Sequence, residues 1–231
     1  MEKHIVNEIN YTLSEEEFIK AIQITCDPGD EDYIRAVTML SQALKIARPR
    51  YVYCVSAVEE KGDGFVIVEG QRFDSELVRK NLDKVHRIIP YVATCGVEIE
   101  EWSLQFTDLL EQFWADELKK LILFKCYADL QKTVKSAYFP AQDLSHMSPG
   151  SLADWPLSGQ IPLFDLIGNV PEDIGVILTD SLLMLPSKTV SGFYFSSSFE
   201  SNSIESHYEN CKYCPMPNCP GRRAEYSGKA E

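Results

Sequence analysis

Three cysteines, Cys211, Cys214 and Cys219, stand within nine positions near the end of the sequence, in "NCKYCPMPNCPGRR". A C-x2-C pair with a third thiol close by suits a thiolate-bound metal, because neighbouring thiolates converge on one centre. Three thiolates match an iron–sulfur cluster with one open or borrowed position. They also match Zn²⁺ if His207, four residues before Cys211, supplies the fourth ligand. Arg222 and Arg223 would offset part of a cluster's negative charge. The simpler reading is a polar tail with reduced thiols. The other four of the seven cysteines, Cys26, Cys54, Cys95 and Cys126, are scattered among apolar residues, which fits reduced, buried thiols better than a disulfide framework.

Two further stretches could meet a ligand. "MSPGSLADWPL" is a long loop in which Ser148 and Gly150 could bring backbone close to a small molecule, since Gly150 has no Cβ to obstruct it. On composition alone a connecting loop is the simpler reading. "TVSGFYF" puts Gly192 inside a strand pattern, where a glycine weakens the strand unless a bulge or a close neighbour needs it. By alternation one of Tyr194 and Phe195 faces the core and the other faces out, free to stack on a ligand ring; ordinary packing is the plainer account. His4 and His86 lie in strand-like runs and read as structural. The acids of "EIEEW" read as a solvated helix start. No Ser-His-Asp set, Walker loop or dinucleotide fingerprint is present.

The elements that must position these residues are readable in outline. "HIVNEINY" alternates as a strand. Ser14 and Glu17 form a capping-box pair, which predicts a helix over about Glu15–Gln23. A second helix follows in "EDYIRAVTMLSQALKIA", with Ile34, Val37, Leu40 and Leu44 at helical spacing and Pro49 beyond it. "RYVYCVSAVEE", the turn "KGDG" and "FVIVEG" predict a hairpin. "DSELVRKNL" predicts a short helix. "VHRIIPYVATCG" predicts a strand, which Pro90 places at an edge or a bulge. From about Glu98 to Ala137 the pattern is helical, bent or split. Trp102, Phe106, Leu109, Leu110, Phe113, Trp114, Leu118, Leu121, Leu123 and Phe124 mark its apolar face. Residues 138–162 read as loop, "LFDLIG" as a turn or two of helix, and "GVILTDSLLMLPSKTVSGFYF" as two strand-like runs parted by Pro186. The expected fold is α+β: a mostly antiparallel sheet packed on a long core helix, with an irregular cysteine-containing tail. The expected division is 1–198 for the domain and 199–231 for the tail.

Bulk properties narrow the partners. With 45% hydrophobic and 11% aromatic residues over 231 positions, the chain can build a sizeable core. A net charge of −13 argues against a nucleic-acid backbone or an anionic membrane surface, both of which need a basic face. No apolar run approaches a membrane span, and "MEKHIVNEIN" lacks the apolar core of a signal peptide, so a cytoplasmic protein is expected.

"LTDSLLMLPSKTVSGFYF", preceded by the Pro-Gly loop and its Trp-Pro, resembles the LT-x-S-x-x-M-x-P-x-x-x-VSG-x-YF signature of the activation domain of cobalamin-dependent methionine synthase. Thr179, Ser181, Met184, Pro186, Val190, Ser191, Gly192, Tyr194 and Phe195 stand where that pattern wants them. The resemblance covers roughly residues 138–198, and the rest in outline. It implies a short, free-standing relative that binds S-adenosylmethionine and covers a cobalamin held by another module. The partner would be a cobalamin-binding protein or a methionine synthase lacking its own activation domain. A flavodoxin-like donor would supply the electron, and S-adenosylmethionine the methyl group, that restore methylcobalamin. Tyr194 and Phe195 fall on family positions lining the S-adenosylmethionine site. Ser148 and Gly150 fall on the loop that passes along that ligand, with Trp155 in the Trp-Pro after it. His146 falls where the family has a carboxylate-gripping Arg, and a mostly neutral imidazole loses that bidentate grip. Ser151 replaces a Tyr, and Lys125 stands at an acidic family position on the core helix. The three-cysteine tail is an addition to the family pattern, and an iron–sulfur cluster there would serve a role that needs an electron. Two other readings stay open: a redox protein whose cluster is the working part, and a binding module that has lost its ligand.

Overall fold

The computed structural model describes residues 2–25, 27–152 and 154–197. Its centre is an antiparallel sheet of seven strands, with β1 (Glu2–Val6), β2 (Arg50–Lys61), β3 (Phe65–Val68), β4 (Gln71–Asp74), β5 (Arg87–Thr94), β6 (Asp143–Met147) and a C-terminal strand, Thr189–Ser197. Two short strands, β7 (Ile177–Leu178) and β8 (Met184–Leu185), pair apart from it, so Thr189–Ser197 is β9. The order is β4-β3-β2-β5-β9-β6. The long β2 takes β1 along residues 51–55 and β3 along 58–61 of one edge, and β5 along the other.

Strict alternation sorts the two faces. Tyr51, Tyr53, Ile89, Tyr91, Ala93 and Tyr194 point one way, against Cys126, Leu130 and Val134 of the long helix α5 (Leu109–Tyr138). Val52, Cys54, Ile88, Val92, Phe193 and Phe195 point the other way. They pack under α3 (Glu76–Asn81), α6 (Gln160–Ile167) and α7 (Val170–Ile174). The N-terminal half of α5 packs with α1 (Glu15–Ile22), α2 (Glu31–Ile46) and α4 (Val97–Ser103) in a helical layer around Phe18, Trp102 and Trp114. The expected α+β fold, an antiparallel sheet on a long helix, is therefore the fold observed. Among the described residues no helix is long and apolar enough to cross a membrane.

Local expectations hold where local chemistry decides. Ser14 accepts from Glu17 N at 3.1 Å while Glu17 Oε2 accepts from Ser14 N at 3.0 Å, closing the capping box of α1. Two expectations need correction. Pro90 lies in β5, an interior strand. The β2–β5 ladder has no pairing between Tyr53↔Tyr91 and Ser56↔Ile88, so the missing N–H of Pro90 falls in a gap, while Pro90↔Phe193 continues the sheet on the other side. The long helical run is split, one of the two expected forms, because Asp108 caps a new helix by accepting from Leu110 N and Glu111 N. The buried stripe of α2 is Ala36, Met39, Leu40 and Ala43; Ile34 and Leu44 are exposed. Small alanines let that helix sit closer than the larger side chains would allow.

Cys54, Cys95 and Cys126 are free and fully buried, as expected; Cys26 lies outside the described residues. Burial pushes Cys54 up to about 11 and Cys95 up to about 12, and raises Cys126 as well. An unfolded thiol titrates near 9.0. Above that pH the unfolded chain binds fewer protons than the folded one, so stability is full below pH 9 and falls as pH rises. Each thiol contributes a slope of about 1.4 kcal/mol per pH unit until its folded pKa is reached. Urea midpoints measured at pH 8 and near pH 10.5 should show the loss, and Cys126→Ala should reduce it. Equal midpoints would contradict this account.

Candidate functional site

β9 runs between β5 and β6, and Gly192 on it lies opposite Tyr91. A Cβ at Gly192 would run into the Met147 carbonyl oxygen and come within 2.7 Å of Ser148 Oγ. The glycine therefore exists to let the end of β6 close over β9. Next along β9, Tyr194 stacks on Tyr91 with centroids 4.6 Å apart, and Tyr127 from α5 lies 6.1 Å from Tyr194. The Tyr91 hydroxyl donates to Tyr127 Oη at 3.4 Å. His146, paired across from Tyr194, places its ring 6.1 Å from Tyr194 and 6.2 Å from Tyr127. The Tyr194 hydroxyl is buried without a well-formed hydrogen bond, in the company of the Tyr91 and Tyr127 phenols. Burial pushes Tyr91 and Tyr194 far above the usual phenol range. Burial thus favours the neutral phenols, which can donate or accept hydrogen bonds.

The loop after β6 goes to the opposite face. Trp155 is 1% exposed and packs 4.9 Å from Phe193 and 6.2 Å from Phe73, with Leu152 in the same cluster. Gly150 N donates to Trp155 O at 2.8 Å, and Gly150 has φ +80°, a conformation glycine adopts without strain. Asp154 accepts from Ser75 Oγ at 2.9 Å and Leu77 N at 3.0 Å, tying the loop to the start of α3.

The six candidate ligand residues thus divide. His146, Ser148 and Tyr194 come together on the α5 side. Trp155 and Phe195 are buried on the other, and Gly150 is exposed between them on the loop. The expectation that either Tyr194 or Phe195 turns outward is corrected: they are 0% and 3% exposed, because helices cover both faces of the sheet. Neither can offer a stacking face to an adenine ring in this arrangement. The polar side of the site fits a ligand better, since His146, Ser148 and Gly150 keep accessible surface and an orphan hydroxyl lies beneath them. Lys125 is committed to Glu17 at 2.6 Å across the α1–α5 seam, and that bond holds the Glu17 carboxyl below its usual range. Sequence reasoning missed Tyr91 and Tyr127. The signal lay in tyrosines at 51, 53 and 91, which the strand alternation puts on one face. Cys211, Cys214 and Cys219 lie outside the described residues. Among the described residues no cluster of three or more His, Cys, Asp or Glu could hold a metal.

The fold is thus an antiparallel sheet with one long helix across one face and the Gly192-containing β9 as an interior strand. The particular likeness is to the crystal structure of the MetH reactivation domain bound to AdoHcy. The TM-score is 0.61 and the identity 17%, over 87% of this chain and 81% of that one. No protein-family model matches the chain, and neither does any curated protein.

Proposed function

We propose that this protein is an accessory to a corrinoid-dependent methyltransferase, methionine synthase foremost, and assists the reductive methylation that returns an inactive cobalamin to use. The observation that carries this reading is the Thr179–Phe195 stretch. Its signature residues build the β7–β8 turn, β8, the turn after it and β9, in a chain whose fold is similar over 87% of its length to a domain that holds AdoHcy. Residues 1–198 act as the unit that covers a corrinoid held by a partner, with 199–231 as a separate polar tail. S-adenosylmethionine supplies an electrophilic methyl group, and a flavodoxin-like donor the electron. In this reading His146, Ser148 and the Gly150 backbone hold S-adenosylmethionine. The tail thiols Cys211, Cys214 and Cys219 are the candidate ligands for an iron–sulfur cluster or zinc.

The test is reconstitution. A methionine synthase lacking its own reactivation domain, poised in the cob(II)alamin state, is mixed with this protein, S-adenosylmethionine and a flavodoxin-type reductant. Growth of the methylcobalamin spectrum supports the reading; an unchanged cob(II)alamin spectrum counts against it. Calorimetry of S-adenosylmethionine binding gives a second expected result. With His146 in place of a bidentate Arg and no open aromatic face, affinity should be about tenfold or more below that of the AdoHcy-binding relative. Equal affinity would show that the grip comes from other residues.

A further inference from the structure

A second cleft opens where the β1–β2 ladder ends. Past Val6↔Tyr51 the two strands splay, and residues 7–13 diverge from the end of α2 and the segment that follows it. The space between them is a cleft of ≈ 660 Å³, within the range of small-molecule sites. Its apolar wall includes Ile9, Leu13, Leu44 and Pro49. Its polar wall includes Asn7, Asn10, Tyr11 and Thr12, and none of these side chains makes a hydrogen bond among the described residues.

Arg48, an exposed residue, also lines the cleft, and with Arg87 it is one of two arginines among the described residues that pair with no carboxylate. Arg35, Arg50, Arg72 and Arg79 are each paired with a carboxylate. Arg48 has no such partner among the described residues, in a protein of net charge −13. Instead its Nη1 donates to Lys45 O and Ala47 O, both at 2.8 Å. Its own carbonyl sits where a Cβ on Gly96 would come within 2.5 Å. The two bonds to Lys45 O and Ala47 O tether the exposed guanidinium through Nη1, and Nη2 and Nε make no hydrogen bond among the described residues. The Tyr11 phenol feels it: burial raises that group while Arg48 draws it down. A tethered guanidinium with a free edge matches a carboxylate. One such cation beside Glu8, which also lines the cleft, does not match a dianion.

We propose that this cleft binds a small organic carboxylate with an apolar body, the carboxylate meeting Arg48 and the body lying on Leu44 and Leu13. The polar side chains of residues 7–12 then complete the ligand's hydrogen bonds. The cleft shares no residue with the His146–Tyr194 cluster, so its test leaves the reactivation reading untouched. The probe is N-acetyl-L-leucine, titrated into the full ¹⁵N-labelled chain and followed by amide shifts. The expected result is saturable shifts confined to residues 7–13 and 44–49. N-acetyl-L-leucinamide, which lacks the charge, should bind about tenfold more weakly or worse. Arg48→Gln should weaken binding similarly. Leu44→Asp, at a position 37% exposed on α2, should do so by repulsion with the capping bonds intact. The proposal is overturned by shifts elsewhere, by no saturation, or by equal binding of the neutral amide. Inorganic phosphate binding as well as the carboxylate would make Arg48 a general anion contact and overturn the assigned ligand class.

Discussion

Gly192→Ala should lower stability by about 3 kcal/mol, near the upper end for overpacking in a closed interior. The added methyl meets the Met147 carbonyl oxygen, which is backbone and cannot swing aside, and also Ser148 Oγ. Relief requires β6 to lift from β9, which breaks the His146↔Tyr194 and Met147↔Phe193 pairings. The urea midpoint should drop, and hydrogen exchange should accelerate at Ser145–Met147 before it does at β2 or β5. A midpoint within error of wild type would show that β6 is not closed over β9 as described. The substitution separates two readings of this glycine as well. If the site role is right, reactivation should fail even at temperatures where Gly192→Ala is still folded, because His146 and Ser148 move with β6.

Lys119→Ala should cost about 3 kcal/mol through a different cause. The ammonium is 6% exposed and lies 3.0 Å from Glu100 Oε2 and 3.0 Å from Ser103 Oγ. Glu100 Oε2 also accepts from Ser187 Oγ at 3.1 Å, so this ion pair ties α4 and α5 to the turn between β8 and β9. Removing one charge leaves the other without its partner in a poorly solvated place, the costly way to break a buried pair. The double replacement Lys119→Met with Glu100→Met should recover most of the loss, because no charge is then stranded. A double variant as unstable as the single one would mean that packing, not charge, explains the effect. Exchange at Leu183–Lys188 should rise in Lys119→Ala, since the tie through Glu100 and Ser187 loosens while the Lys188–Asp116 bridge and the Cys95 N–Lys188 O bond remain.

How much of this was legible beforehand follows from where each residue draws its structure. Ser14 and Glu17 announce a helix start because the reciprocal bonds are local, and they form as expected. The 50–68 hairpin and the 189–197 strand are visible in their alternation. β6 was not visible. Asp143–Met147 is five residues of middling strand propensity between prolines, and only its ladder to β9 makes it a strand. The same limit hid the fate of Tyr194 and Phe195. Alternation says that they point opposite ways, but not that both directions are covered. The candidate site was half legible. The signature pointed to β9 and the loop after β6, yet Tyr91 and Tyr127 reach it from elements far away in sequence. The loop's own direction, across to the Phe193 side, depends on Asp154 meeting the start of α3.

The position of β9 has a mechanical consequence. It is flanked by β5 on one side and β6 on the other, and the chain beyond residue 197 leaves from its end. Tension applied through that end pulls β9 along its own axis. The β6 ladder along residues 193–197 takes that load first and the β5 ladder along 189–194 behind it, both in shear. A pull from that end therefore reaches the centre of the sheet only after it has loaded the β6–β9 pairing.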